Sequence, residues 1–169
     1  MTTTIVATAV TLRPIEPADS EFLLRVYAST RSEELAPVPW SNEQKDAFLR
    51  QQFEAQRVYW HEHYANADFS IVEVDGSPAG RFYVNRGQDE IRLVDIELLP
   101  EYRRGGIGTG LIQGLLAEAR TRGLPVTIHV EVGNPARDLY GRLGFERVAD
   151  RGVYILMQWR PEAAAGAVS

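Results

Sequence analysis

Apolar and polar positions alternate along this chain in two rhythms, and the switches between them mark its elements. Val10 to Arg13 reads as a short strand stopped by Pro14. Phe22, Leu23, Val26 and Tyr27 then fall on one helical face, with Asp19 or Ser20 as the cap and an end near Thr30. Pro37, Pro39 and Trp40 interrupt the pattern. Ser41 followed by Gln44 is a capping-box signature. It opens a second helix carrying Phe48, Leu49, Gln52, Phe53 and Gln56, which runs to about Tyr64.

Beyond that point the period shortens to two. Phe69 to Val74, Gly80 to Asn85 and Glu90 to Leu99 read as strands, joined at Asp75-Gly76 and Gly87-Gln88-Asp89. Gly106 to Thr121 returns to helical spacing through Leu111, Leu115, Leu116 and Ala119, and Gly123 closes it. Val126 to Val132 is a strand, and Pro135 to Leu143 a short helix with Pro near its start. Phe145 to Ala149 and Val153 to Trp159 are strands about the turn Asp150-Arg151-Gly152. The order β-α-α-β-β-β-α-β-α-β-β predicts an α/β (α+β) protein with a mixed sheet.

The chain has 169 residues, which fits one domain, expected over 10–160 with flexible ends at 1–9 and 161–169. Cysteine is absent, so disulfides, thiolate metal sites and a cysteine nucleophile are excluded. Eighteen Lys and Arg against 23 Asp and Glu give a net charge of −5, which disfavours nucleic acid as a partner. No apolar run approaches the ~20 residues of a membrane span, and the start lacks a secretory pattern. The expectation is a cytoplasmic protein with neither membrane nor nucleic acid as partner.

The segment from Leu98 to Thr109 carries the chemistry. Glycines at 105, 106 and 108 lie between a strand and a helix, where backbone amides and the positive helix end form an anion site. Arg103 and Arg104 add charge at its mouth. A Walker loop lacks its lysine here. A dinucleotide fingerprint lacks its third glycine, because position 111 is Leu. An acyl-CoA pyrophosphate loop, Arg-x-x-Gly-x-Gly, matches Arg103 to Gly108, and a turn that binds nothing is the remaining reading.

Downstream runs Asn134-Pro135-Ala136-Arg137-Asp138-Leu139-Tyr140-Gly141-Arg142-Leu143-Gly144-Phe145. The pair of segments resembles the GNAT superfamily of acyl-CoA N-acyltransferases, over about 10–160. The resemblance implies a mixed central sheet splayed between the fourth and fifth strands, with helices on both faces. It implies acetyl-CoA as co-substrate, no metal, and an amine-bearing small molecule or peptide as acceptor. Backbone groups of Ile96 and Leu98 would pair with the pantetheine arm. Arg103 and the amides of Arg104, Gly105, Gly106, Ile107, Gly108 and Thr109 would hold the pyrophosphate. Asn134 would contact the cofactor or brace the next helix, and Tyr140 would protonate the departing thiolate. The family often has Gly and then a basic residue after the Arg; here Arg104-Gly105 reverses them.

Two residues compete as general base. Glu97 follows Asp95 on the strand entering the loop, where a second carboxylate would raise its proton affinity. His129 lies on the next strand and suits proton transfer near neutrality. Each also reads as an ordinary paired strand residue, and a water chain with no dedicated base is a third route. His61 and His63 do not share a helix face, which argues against a metal site. Glu33, Glu34, Trp40, Tyr59, Trp60 and Tyr64 read either as core aromatics with a solvated acidic helix end or as a wall for a cationic amine. The function expected is direct acetyl transfer from acetyl-CoA to a primary amine by a monomer or homodimer. A non-catalytic acyl-CoA sensor and a nucleotide-binding oxidoreductase are the alternatives.

Overall fold

The computed structural model describes residues 8–162. Eleven elements follow one another in the expected order. They are β1 (Val10–Pro14), α1 (Ser20–Leu35), α2 (Asn42–His63), β2 (Asp68–Val74), β3 (Ser77–Arg86), β4 (Ile91–Leu98), α3 (Ile107–Arg122), β5 (Val126–Glu131), α4 (Ala136–Arg142), β6 (Glu146–Arg151) and β7 (Tyr154–Trp159). Short 3-10 turns at Pro17–Asp19 and Pro100–Tyr102 precede α1 and follow β4. The strands form a mixed sheet in the order β1-β2-β3-β4-β5-β7-β6, with helices on both faces. Of the expected flexible ends, residues 1–7 and 163–169 lie outside the described residues.

The chain divides into two compact units that interleave in sequence. Among the described residues, one holds 8–82 together with Ile96–Arg103; the other holds Tyr83–Asp95 and 104–162.

In the first unit, Leu23, Leu24, Val26 and Tyr27 of α1 are buried with Ile71, Val72 and Val74 of β2 and Ala79 and Phe82 of β3. β1 runs antiparallel to β2 from Val10↔Val74 to Pro14↔Ser70. The start of α1 differs from expectation. Asp19 makes no side-chain cap. Its carboxylate instead takes two bonds from the Arg13 guanidinium, at 2.9 and 2.8 Å, and one from the Glu16 N–H at 2.7 Å. Those bonds, led by Arg13, hold the Asp19 carboxyl below its ordinary range. The helix also runs past Thr30 to Leu35.

At α2 the capping box forms as its sequence predicts. Ser41 Oγ accepts from Gln44 N–H at 3.1 Å, and Gln44 Oε1 accepts from Ser41 N–H at 2.9 Å. Lys45, Leu49, Phe53, Gln56, Trp60 and Tyr64 form its half-buried stripe. Phe53 meets Tyr27 of α1 at 5.8 Å between ring centroids. Phe48 faces outward instead and packs edge-on against Trp40.

In the second unit, α3 buries Ile112, Leu115, Leu116 and Ala119. Gly123 ends it in the left-handed conformation, φ +67°. β5 and β7 pair antiparallel along their whole length, from Val126↔Trp159 to Glu131↔Tyr154. β6 reaches Arg151, so the last turn is Gly152-Val153 rather than Asp150-Arg151-Gly152. A bulge between Arg147 and Ala149 interrupts its ladder with β7. The parallel ladder of β4 with β5 holds only Ile91↔Val126 and Arg92↔Thr127. Alternation of burial along β4 also ends at Leu93.

Candidate active site

The Gly-rich segment folds as an open helix start. Gly106 is the N-cap of α3 at φ +82°, and no side chain caps that end. Arg104 is also left-handed, at φ +65°, a conformation that favours glycine. A Cβ at Gly105 or Gly106 would meet no atom within 4 Å, so space lies open over the loop. The first amides of a helix have no intrahelical partner, and they carry the positive end of the dipole. Such a helix start can accept an anionic group.

Arg103, expected to add charge at the pyrophosphate, is engaged within the first unit. Its Nε donates to the Leu98 carbonyl at 2.9 Å and a terminal nitrogen to Ser29 Oγ of α1 at 3.2 Å. Ile96 and Leu98 are half-buried at the end of β4. Asn134 braces the next helix: its Oδ1 accepts from Ala136 N–H at 2.9 Å. That bond serves α4, whose N-cap, Pro135, makes none of its own. Tyr140 is the buried residue of α4, and its ring lies 5.8 Å from that of Phe145.

The two candidate bases occupy different settings. In the first unit, Glu97 Oε2 lies 3.5 Å from a terminal nitrogen of Arg81. In the second, His129 is exposed and its Nδ1 is 2.8 Å from the Arg92 guanidinium. Arg92 also donates to Thr127 Oγ1 at 2.7 Å, and Thr127 donates to Glu90 at 3.0 Å. Desolvation first, then Arg92 and Arg151, push the His129 imidazole below its ordinary value, with Glu90 opposing.

The aromatic candidates pack against different neighbours. The Trp60 ring lies under Arg81, with Cζ 5.1 Å from its centroid. Tyr59 is exposed and stacks on His63 at 3.8 Å. His61 stacks on Phe69 at 4.3 Å. Glu33 and Glu34 are exposed. Sequence reasoning missed Arg81 and Gly80. A lone arginine between Ala79 and Phe82 was the available signal, because a charge in an apolar strand needs a partner.

Residues 28–145 match the family model described as acetyltransferase (GNAT) family. An uncharacterized N-acetyltransferase of Bacillus licheniformis is 33% identical over 100 residues, covering 56% of this chain and 57% of the relative. One from Bacillus pumilus is 32% identical with the same coverage. The chain thus spans a little over half the length of these curated relatives. The fold is similar to PaiA N-acetyltransferase of Thermoplasma acidophilum, solved in complex with coenzyme A. The TM-score is 0.68 at 18% identity, over 90% of this chain and 99% of that one. It is also similar to the ribosomal-protein-S18-alanine N-acetyltransferase of Escherichia coli, with TM-score 0.59 at 21% identity over 95% and 99%. With the family model matching well over half its length, the chain belongs to the acetyltransferase (GNAT) family.

Proposed function

We propose that this protein is an acetyl-CoA-dependent N-acetyltransferase that moves an acetyl group to a primary amine by direct attack, with residues 10–160 acting as one catalytic domain. The uncapped, open N-terminus of α3 at Gly106 carries this reading, because it offers unpaired amides to a pyrophosphate. The amides of Arg104 to Thr109 hold that group, with Arg103 and Arg104 supplying positive charge. Backbone groups of Ile96 and Leu98 pair with the pantetheine arm. Asn134 acts indirectly, by fixing the start of the helix that carries Tyr140.

The amine arrives largely as ammonium and must lose a proton before it attacks. Glu97 takes that proton. His129 is the poorer candidate, because the Arg92 guanidinium occupies the ring nitrogen that a base needs. The nitrogen lone pair then forms the new C–N bond, the C–S bond breaks, the Tyr140 hydroxyl gives its proton to the leaving sulfur, and the second proton of the attacking nitrogen passes through water to restore the Tyr140 hydroxyl. The acceptor is a small molecule or peptide amine, and the protein works in the cytoplasm as a monomer or homodimer. Among the described residues no helix is long and apolar enough to cross a membrane.

A screen of primary amines with acetyl-CoA, reading free thiol release, tests the proposal alongside calorimetry with acetyl-CoA. Binding with amine-dependent thiol release is expected. Binding without turnover of any amine identifies the sensor reading instead, and absence of binding removes both.

A further inference from the structure

Arg81 is the one charged residue between Ala79 and Phe82 in β3, and it is 1% exposed. A guanidinium withdrawn from water to that degree is tolerated only when its charge and donors are met. A terminal nitrogen lies 3.5 Å from Glu97 Oε2 of β4 and 3.3 Å from Gln56 Oε1 of α2. The guanidinium plane covers Trp60, also of α2. Glu97 is different in one respect: its side chain keeps 18% of its exposure.

The backbone of Glu97 is fixed by the preceding residue of β3. A Cβ on Gly80 would stand 2.2 Å from the Glu97 carbonyl oxygen and 2.9 Å from Leu98 Cα, so only glycine admits β4 this closely. One residue further, Leu99 N–H donates to the Ala79 carbonyl at 2.8 Å. Gly80 therefore seats the main chain of Glu97 while Arg81 seats its carboxylate. From α1, Tyr27 lies in the field of Arg31, Glu97 and Arg81, and Arg31 stacks over its ring at 5.3 Å.

We infer that Arg81 is a positioning residue for the deprotonation of the acceptor: it keeps the Glu97 carboxylate ionised and in one orientation while staying out of the substrate's reach. This inference rests on the proposed acetyl transfer with Glu97 as base. In that step the ammonium gives one proton to Glu97, the neutral amine attacks, and the carboxyl later returns its proton to water. A nearby cation favours the ionised carboxylate, so a neutral residue at position 81 moves protonation of Glu97 to higher pH. Arginine supplies this with a fixed planar fork held by Gln56 and Trp60, which lysine reproduces only in charge.

The test measures thiol release from pH 5 to 9 with saturating acetyl-CoA, using spermidine, phenylethylamine and a peptide with a free alanine N-terminus as acceptor probes. Wild type, Arg81→Met, Arg81→Gln, Arg81→Lys and Glu97→Gln are compared, and acetyl-CoA affinity is read by calorimetry. In Arg81→Met and Arg81→Gln the acidic limb is expected to move up by about 1–3 pH units, the range an arginine neighbour imposes on a carboxylate. Arg81→Lys falls between these and wild type, Glu97→Gln loses the limb, and acetyl-CoA affinity stays within about twofold. If Arg81→Met does not fold, Arg81→Gln, which still hydrogen-bonds, carries the comparison. Turnover lowered equally at every pH, with the limb in place, overturns the inference and leaves acetyl transfer standing. Acetyl-CoA bound by wild type with no probe acetylated overturns the proposed function, and this inference with it.

Discussion

The Arg92 guanidinium donates to Nδ1 of His129 across 2.8 Å. Arginine has no acceptor, so the imidazole nitrogen facing it must be the unprotonated one, and the ring proton sits on Nε2. Partial desolvation of the exposed ring, then Arg92 and Arg151, depress the proton affinity of this histidine. The unfolded chain therefore takes up the proton first as pH falls. Stability from this group is complete above the unfolded value of about 6.5 and is lost as pH drops through it toward the lower folded value. The melting temperature of wild type is expected to fall between pH 7 and pH 5. His129→Gln, which can still accept from Arg92, should fall less steeply. His61 is shifted in the same direction, by burial and then Arg57, so part of the slope survives. Identical slopes in the two proteins would remove His129 from the acid sensitivity.

Most elements were legible because their signals are local. The Ser41–Gln44 box, the Asp75-Gly76 turn at φ +49° and +83°, and Gly123 at the end of α3 all do what their residue types predict. Asp19 stands at the N-cap of α1 as expected, but its carboxylate does not cap, because Arg13, six residues away on a strand, takes it, and a capping pattern looks only forward along the chain. The helix past Thr30 was missed because Arg31, Ser32, Glu33 and Glu34 carry no apolar period. Within the site, the glycine loop was readable as a loop. The surroundings of Glu97 and His129 were not, because they depend on strand register. The sequence suggested a second carboxylate beside Glu97; the structure adds a buried guanidinium at 3.5 Å.

Arg104 and Gly106 are both left-handed, and opposite consequences follow. A side chain in that conformation costs about 1–2 kcal/mol. Arg104→Gly relieves this strain, against the roughly 0.5–1 kcal/mol by which glycine's extra freedom disfavours folding. A net gain of up to about 1.5 kcal/mol is expected. Gly106→Ala introduces the same strain at φ +82° and should destabilise by about 1 kcal/mol, although its Cβ would meet no neighbour. Denaturant midpoints read both changes. Acetyl-CoA affinity should weaken in both, in the first through lost charge and in the second through the altered loop. A stabilised Gly106→Ala would contradict the backbone argument.

Gly80 and Gly114 make a second contrast. At Gly80 an added methyl collides with backbone, 2.2 Å from the Glu97 oxygen. Overpacking of this kind costs about 1–3 kcal/mol, and β4 must shift to relieve it. At Gly114, inside α3, an added methyl meets nothing within 4 Å. There alanine gains helix propensity, worth about 0.8–1 kcal/mol. Thermal melts should move in opposite directions for Gly80→Ala and Gly114→Ala. Equal or positive shifts at Gly80 would show that the close approach of β3 to Glu97 is not a constraint.

Tyr140 separates packing from chemistry. Its ring is 5% exposed and tilted 58° against Phe145, while its carbonyl accepts from Phe145 N–H at 3.0 Å and Leu143 N–H at 3.1 Å. Those backbone bonds and the ring survive in Tyr140→Phe, so the fold and acetyl-CoA affinity should change little. Only the hydroxyl goes. A general acid contributes about 10²–10⁴-fold, and turnover should fall by that order if thiolate protonation uses this group. Tyr140→Ala, by contrast, should lose about 3–5 kcal/mol of stability, as large aromatic truncations do. Single-turnover thiol release across pH, compared with calorimetry on the same preparations, distinguishes the outcomes. A full rate in Tyr140→Phe where chemistry limits turnover would leave the ring as packing alone and assign the proton to water.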